Sequence, residues 1–184
     1  MKYTILNLKF WLLGNIKKYI PFLNNYIRTT TSIISINYKL GIVDKETLRY
    51  LEYNVVQNEI YWLNKLNSFE HTPNIINYNK NKITLSYAGE PITNLNLPKD
   101  WEKQVKIILD KLTSIHCSHN DIKPTDLLIL NQKIMLIDFQ WANNTHMEIP
   151  SDWPESIGGR YKHPQKFNDS YSFYKSIRFI KSCK

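Results

Sequence analysis

Cysteine is nearly absent from this chain: Cys117 and Cys183 are the two it has. That is too few for a disulfide framework, so a reducing cytosol is the expected compartment. Acidic residues are missing from the whole amino-terminal stretch. None occurs before Asp44, while Lys2, Lys9, Lys17, Lys18, Arg28 and Lys39 all precede it, so the net charge of +8 is unevenly spread. Such a stretch suits an anionic membrane surface, nucleic acid or an acidic partner; the simpler reading is a solvated helix face in a lysine- and asparagine-rich chain. Long hydrophobic runs are lacking too. Ile5 to Leu23 is apolar, but Lys9, Asn15, Lys17, Lys18 and Pro21 interrupt it before it reaches spanning length. It does not end in the small-residue cleavage site of a signal peptide. An amphipathic helix lying peripherally on a membrane stays open, beside the plainer expectation of a helix packed on the protein's own core. There are no internal repeats, low-complexity tracts or long linkers, and the only glycine before Lys39 is Gly14.

What is there amounts to 184 residues, enough for one ordinary domain or two small lobes with a real core. Residues from about 4 to 20 carry an apolar stripe of Phe10, Leu13 and Ile16 at helical spacing, ended by Pro21. The β-branched and aromatic residues from Thr31 to Val43 predict a strand. Apolar residues at helical spacing, Leu51, Val55, Ile60, Leu63 and Leu66, predict a helix over Glu46 to Leu66. Ile83 to Tyr87 predicts a second strand, and Ala88-Gly89-Glu90-Pro91 a hinge or turn. Trp101 to His116, with Val105, Ile108, Leu112 and Ile115, predicts an amphipathic helix. Leu127 to Leu130 and Ile134 to Ile137, separated by Asn131-Gln132-Lys133, predict a hairpin.

That hairpin joins the two most informative segments. His119 to Asp126 reads His-Asn-Asp-Ile-Lys-Pro-Thr-Asp, and Leu136-Ile137-Asp138-Phe139 follows. Three carboxylates (Asp121, Asp126, Asp138) and Lys123 therefore sit on two loops flanked by short apolar runs. Phosphoryl transfer needs groups of this kind, because its chemistry is mostly positioning plus neutralisation of phosphate charge. One or two carboxylates are enough to hold magnesium, which keeps several of its waters.

The first segment resembles the catalytic loop of the protein-kinase-like superfamily, His-x-Asp-x-Lys-x-x-Asn, and Ile137-Asp138-Phe139-Gln140 resembles its Asp-Phe-Gly motif. The resemblance implies an α+β, bilobal protein-kinase-like fold. Residues 1–88 would form a small β-rich lobe with the amino-terminal helix and the helix of Glu59; residues 89–184 would form a truncated, helical lobe. It implies ATP with magnesium, or manganese, as the nucleotide and metal. Asp121 takes the position of the catalytic base and Lys123 that of the lysine touching the transferring phosphate. Asp138 becomes the main metal ligand, and Asp126 the second, where the family has asparagine. An ionised aspartate there can coordinate metal but cannot donate a hydrogen bond.

Further correspondences follow. Tyr87, Ala88 and Gly89 resemble the hinge that binds adenine, and Glu59 fits the glutamate of the family's mobile helix. Lys39 is the best candidate for the phosphate-binding lysine that pairs with it. The glycine-rich phosphate loop is missing, with Thr29-Thr30-Thr31-Ser32 as a polar substitute in that region. Ile157-Gly158-Gly159-Arg160-Tyr161 and His163-Pro164-Gln165 resemble a shortened activation segment, Gln165 replacing a glutamate whose partner arginine comes from helices absent here. Asp169-Ser170-Tyr171-Ser172-Phe173 resembles the start of the buried helix whose aspartate supports the catalytic loop. The Asp169, Tyr171, Ser172, Phe173, Tyr174 pattern is also similar to compact bacterial and phage kinases acting on cell-surface glycans.

His116-Cys117-Ser118-His119 lacks the paired spacing of a structural zinc site; His119 reads better as a brace of the catalytic loop. The aromatic residues fall at core-like spacing, and there is no specific nucleic-acid signal. Three functional classes remain: an ATP-dependent phosphotransferase acting on a hydroxyl of protein, glycan or small molecule; a pseudokinase that binds without turnover; and a docking protein using the basic first segment. The joint presence of Asp121, Lys123 and Asp138 favours the first. Lys123-Pro124 points to a serine/threonine style of loop, and the carboxy-terminal pattern to a glycan or small-molecule acceptor.

Overall fold

A computed structural model describes residues 25–183. The helix expected over residues 4–20, with Lys2, Lys9, Lys17 and Lys18, lies outside the described residues. The chain is a mixed α+β protein. Its first half builds an antiparallel sheet from β1 (Asn25–Arg28), β2 (Ser32–Asn37), β3 (Ile42–Thr47), β4 (Ile75–Tyr78) and β5 (Lys82–Ser86), in the order β1-β2-β3-β5-β4. Helix α1 (Val55–Lys65) crosses between β3 and β4.

The single strand expected over 31–43 is in fact β2 and the start of β3. Gly41 turns at φ 64° and the Asn37 side chain accepts the Leu40 N–H, so the chain reverses after Asn37 and pairs Ile36 with Val43. A β-branched run signals extended backbone but carries no mark of where it folds back. The helix expected from Glu46 is corrected likewise. Glu46 and Thr47 belong to β3, and Tyr50 and Asn54 take left-handed conformations (φ 62° and 54°) that delay helix α1 until Val55. Leu51, counted into the apolar stripe, is exposed.

The second half supplies β6 (Glu90–Pro91), α2 (Trp101–Ser114), β7 (Cys117–Ser118), β8 (Leu127–Leu130), β9 (Lys133–Leu136), β10 (Asn143–Asn144) and α3 (Asp169–Ser182). The β8–β9 hairpin forms as expected, with Leu127 opposite Leu136, and β6 extends it into a three-stranded sheet. Strands β7 and β10 pair on their own. Gly89, before β6, stands at φ 101°, and a Cβ there would fall 2.0 Å from the Ile129 carbonyl oxygen. Only glycine permits so close a backbone approach.

Apolar periodicity explains how the helices seat. Val105, Ile108 and Leu112 of α2 and Phe173, Ile177 and Ile180 of α3 are buried at three- and four-residue spacing. They meet Ile122, Leu127, Ile134, Leu136 and Phe139 in one core that continues through Val56, Ile60 and Leu63 of α1 to Ile83 and Leu85 of β5. Each such side chain contributes about 1.5–3 kcal/mol of apolar transfer on burial. The two carboxylate loops leave this core at the ends of β7 and β9 and so have fixed roots. No helix among the described residues is long and apolar enough to cross a membrane.

Candidate functional site

The loop 119–126 is held from behind. Asp169, at the first turn of α3, accepts the backbone N–H groups of His119 (2.6 Å) and Asn120 (2.9 Å). His119 is fully buried, with Nε2 3.0 Å from the Ile137 carbonyl and Nδ1 3.4 Å from the Asp121 N–H. One nitrogen therefore donates and the other accepts, the pattern of a neutral ring. Burial agrees, pushing His119 below the ordinary histidine value despite the nearby aspartates. Asn120 stands at φ 66° and donates from Nδ2 to the Trp141 carbonyl at 2.8 Å. These bonds tie the 119–126 loop to the segment after β9, so the two sequence motifs are one unit in space.

That unit gathers Asp121, Lys123, Asp126 and Asp138. Asp121 accepts the Lys123 ammonium at 2.5 Å on one oxygen and the Gly158 N–H at 2.6 Å on the other. A carboxylate offers about four lone-pair positions, so capacity for a further donor remains. Lys123 also lies 3.3 Å from Asp126. Burial would lower its pKa, but Asp126, Asp121 and Asp138 hold it above the ordinary lysine value. Asp126, 3% exposed, is pushed up to about 8 by burial, with Asp138 and Asp121 adding to the push and Lys123 opposing it. Near neutral pH it is therefore largely protonated and can donate as well as accept. Only the ionised form of this aspartate would be limited to accepting. Burial also acts on Asp138, but Lys45 and Lys123 outweigh it and hold that carboxyl well below the usual range.

Lys45 is the group the sequence reading missed. It projects inward from β3, its Nζ 2.8 and 3.0 Å from the two oxygens of Glu59 on α1 and 2.6 Å from Asp138. Lys39, expected in this role, is exposed in the β2–β3 turn. The reason is the turn itself. With the strand restarting at Ile42, the inward face is carried by Lys45 and Thr47, and Lys39 falls outside the sheet. A signal was available, since a lysine between Val43 and Thr47 on the strand face turned to the core needs a buried partner, but it could be read only with the turn placed. Burial alone would lower the Lys45 pKa; Asp138 and Glu59 raise it above the ordinary value, so it is charged. Glu59 is 1% exposed, and burial, reinforced by Asp138, leaves it above the ordinary glutamate value in spite of Lys45. Helix α1 is pinned here, with Asn58 Nδ2 2.6 Å and Trp62 Nε1 3.0 Å from the Ala142 carbonyl.

Tyr87, Ala88 and Gly89 link β5 to β6; Tyr87, expected to end the strand, lies just beyond it, and Glu90–Pro91, expected within the turn, is strand β6. The Tyr87 N–H donates to the Gly41 carbonyl at 2.8 Å, its hydroxyl to Glu90, and its ring meets that of Tyr38 edge-on. Thr29-Thr30-Thr31 is the turn joining β1 to β2. There the Thr29 hydroxyl accepts the N–H groups of Thr31 (3.2 Å) and Ser32 (2.9 Å), so those amides are already engaged. Among the described residues no three His, Cys, Asp or Glu side chains are arranged to hold a metal ion. Asp126 and Asp138 alone would leave the remaining positions to water and phosphate oxygens, which suits magnesium and not zinc. A buried carboxyl raised to about 8 beside two others is also a place short of positive charge. Comparison of the chain with models of known protein families gives no match, and comparison with curated protein sequences gives none at a significant level.

Proposed function

We propose that this chain is an ATP-dependent phosphotransferase of the protein-kinase-like kind, with a bilobal arrangement divided near residue 88. The observation that carries the proposal is the convergence of Lys45, Glu59 and Asp138 beside Asp121 and Lys123. In protein kinases the phosphate-binding lysine stands on the third strand and pairs with a helix glutamate, next to the aspartate that holds magnesium. Lys45 is on β3, Glu59 on α1 and Asp138 after β9. Asp121, Lys123 and Asp138 come from the motif that first suggested the reaction, and Glu59 was expected to pair with a lysine; the part that owes nothing to the motif is Lys45, since Lys39 was the lysine expected.

In this reading Lys45 and Lys123 bind the phosphates, and Tyr87 to Gly89 receive the adenine. Asp138, and Asp126 once it has given up its proton, would hold magnesium, or manganese, whose charge would neutralise that of the phosphates. Asp121 accepts the proton of the acceptor hydroxyl as its oxygen bonds to the γ-phosphorus. The bond from that phosphorus to the β–γ bridging oxygen breaks, and ADP leaves with the electron pair. Orientation and proton acceptance together account for a contribution of several orders of magnitude from Asp121.

The test is transfer of labelled γ-phosphate with wild type, Asp121→Asn, Asp138→Asn and Lys45→Met, with magnesium and with manganese. Loss of transfer by a factor of about 10³ or more in Asp121→Asn, with nucleotide binding retained, is the expected result; equal turnover in all four proteins would sink the assignment. A second reading, a module that binds nucleotide or a partner without turnover, is favoured by the β1–β2 turn. Its amides are occupied by Thr29 and so not free to cradle phosphates. Nucleotide binding with no turnover in wild type would select it.

A further inference from the structure

A groove of about 540 Å³ opens beside the 119–126 loop, on residues the mechanism above does not use. Its size is that of a small-ligand site. Its walls include Ser118, Asn120, Asn143 and Thr145, and the charged side chains lining it, Lys162 and Lys166, are both cationic. The nearby Asp169 reaches Ser118 at 3.3 Å, but its carboxylate is engaged by the N–H groups of His119 and Asn120. The floor is preorganised. Asn120 Oδ1 accepts the Ser118 hydroxyl at 2.8 Å, and its Nδ2 reaches Asn143 Oδ1 at 3.1 Å. Lys162 is steadied over the Phe167 ring, its Nζ 4.0 Å from the centroid. Met147, Ile149, Pro164 and Phe167 also line the groove. A cationic rim over this mixed wall suits a hydroxyl-rich anion, because Lys162 and Lys166 supply the charge, the Asn143 amide and Thr145 hydroxyl can meet sugar-like oxygens, and the apolar residues can meet the carbon skeleton.

The groove is also one residue's width from the base. Gly158 donates its N–H to Asp121 Oδ1 at 2.6 Å, and an added Cβ on Gly158 would lie 2.9 Å from the Lys162 Cβ and 3.1 Å from the Asn120 carbonyl oxygen. Gly158 thus separates Asp121 from Lys162 with no side chain between them. We propose that this groove is the acceptor site, and that the acceptor is a small polyhydroxylated molecule bearing a carboxylate or phosphate, held by Lys162 and Lys166. The inference rests on the phosphotransferase reading and names its substrate class. The reaction keeps the balance given above: the acceptor's hydroxyl proton goes to Asp121, its oxygen bonds to the γ-phosphorus, and ADP departs with the bridging-bond electrons.

The experiment uses the full chain and matched probes, glucuronate against glucose and glycerol 3-phosphate against glycerol. Binding is read by chemical-shift changes at Asn143, Thr145 and Lys162, and transfer by label from ATP. The anionic member of each pair should bind about tenfold or more tightly than the neutral one. Lys162→Ala should remove that preference and Lys162→Arg restore it, with melting temperature and ATP affinity unchanged in both. Equal binding of charged and neutral probes, or a preference unmoved by Lys162→Ala with Lys166→Ala, overturns the inference. Label recovered on protein or on a neutral glycan, with the groove empty, overturns it too while leaving the phosphotransferase reading intact. Anions seated in the groove of a wild-type protein that transfers nothing from ATP remove the acceptor role together with that reading.

Discussion

Lys45→Met is the substitution that separates structure from function most cleanly, because one ammonium serves two carboxylates. Methionine is one heavy atom shorter than lysine but keeps the unbranched apolar stem, so packing around β3 should survive. What is lost is the partner of Glu59, which is 1% exposed. In the variant Glu59 must either remain charged without a counter-ion or take up a proton, and protonation is the smaller penalty. From an ordinary value of 4.5, holding a proton at pH 7 costs at most roughly 3.4 kcal/mol, and at pH 5 roughly 0.7 kcal/mol, at about 1.36 kcal/mol per unit. Asp138 reaches solvent, with 28% of its side chain accessible, and adds less. The sign follows from linkage. In the variant the folded protein keeps a proton that the unfolded chain has released; wild-type Glu59 is itself held above 4.5, so the deficit relative to wild type opens above that raised value and grows as pH rises further. Urea denaturation of wild type and Lys45→Met at pH 5, 6, 7 and 8 measures it. Lys45→Met with Glu59→Gln should recover most of the stability at pH 7, yet no ATP-dependent turnover. A deficit of equal size at pH 5 and pH 7.5, or a double variant no more stable than the single one, would refute the account.

Asp126 yields a related expectation of a different shape. Its folded value is raised to about 8 from 3.8, so the wild type loses stability relative to Asp126→Asn as pH rises from about 4 to 8 and not beyond. Denaturation midpoints of the two proteins across that window check it, and parallel curves would show that Asp126 is not a buried acid. Asp169→Ala should remove the acceptor of the His119 and Asn120 N–H groups, costing about 2–4 kcal/mol in unfolding free energy at roughly 1–2 kcal/mol per stranded donor. Asp169→Asn should lose less, since an amide oxygen can still accept one of the two bonds. Equal losses in both variants would mean that Asp169 does not act through those bonds.

Much of this arrangement was legible in the chain. The β8–β9 hairpin follows from two short apolar runs around a polar tripeptide, and α2 from its periodic Val105, Ile108 and Leu112. Asp169 and His119 were expected to brace the 119–126 loop, and both hydrogen-bond there, Asp169 to the His119 N–H and the His119 ring to the Ile137 carbonyl. Two features were not legible. Gly41 and the Asn37 side chain split one β-branched run into two strands, and that single reversal decides which lysine faces inward. The left-handed Tyr50 and Asn54 likewise move the start of α1, because positive φ at a non-glycine residue is imposed by packing and leaves little trace in composition.

The sequence by itself determined the chemistry available: three aspartates and a lysine on two short loops, a net charge of +8, and hardly any cysteine. It also determined the core, since apolar spacing fixes which face of each helix is buried. The tertiary structure alone decided that Lys45, and not Lys39, joins Glu59 and Asp138, and that burial lifts Asp126 to about 8. Both depend on distances between segments remote in the chain. Charge interactions are settled by separation and by exclusion of water, and neither quantity exists until the strands have paired.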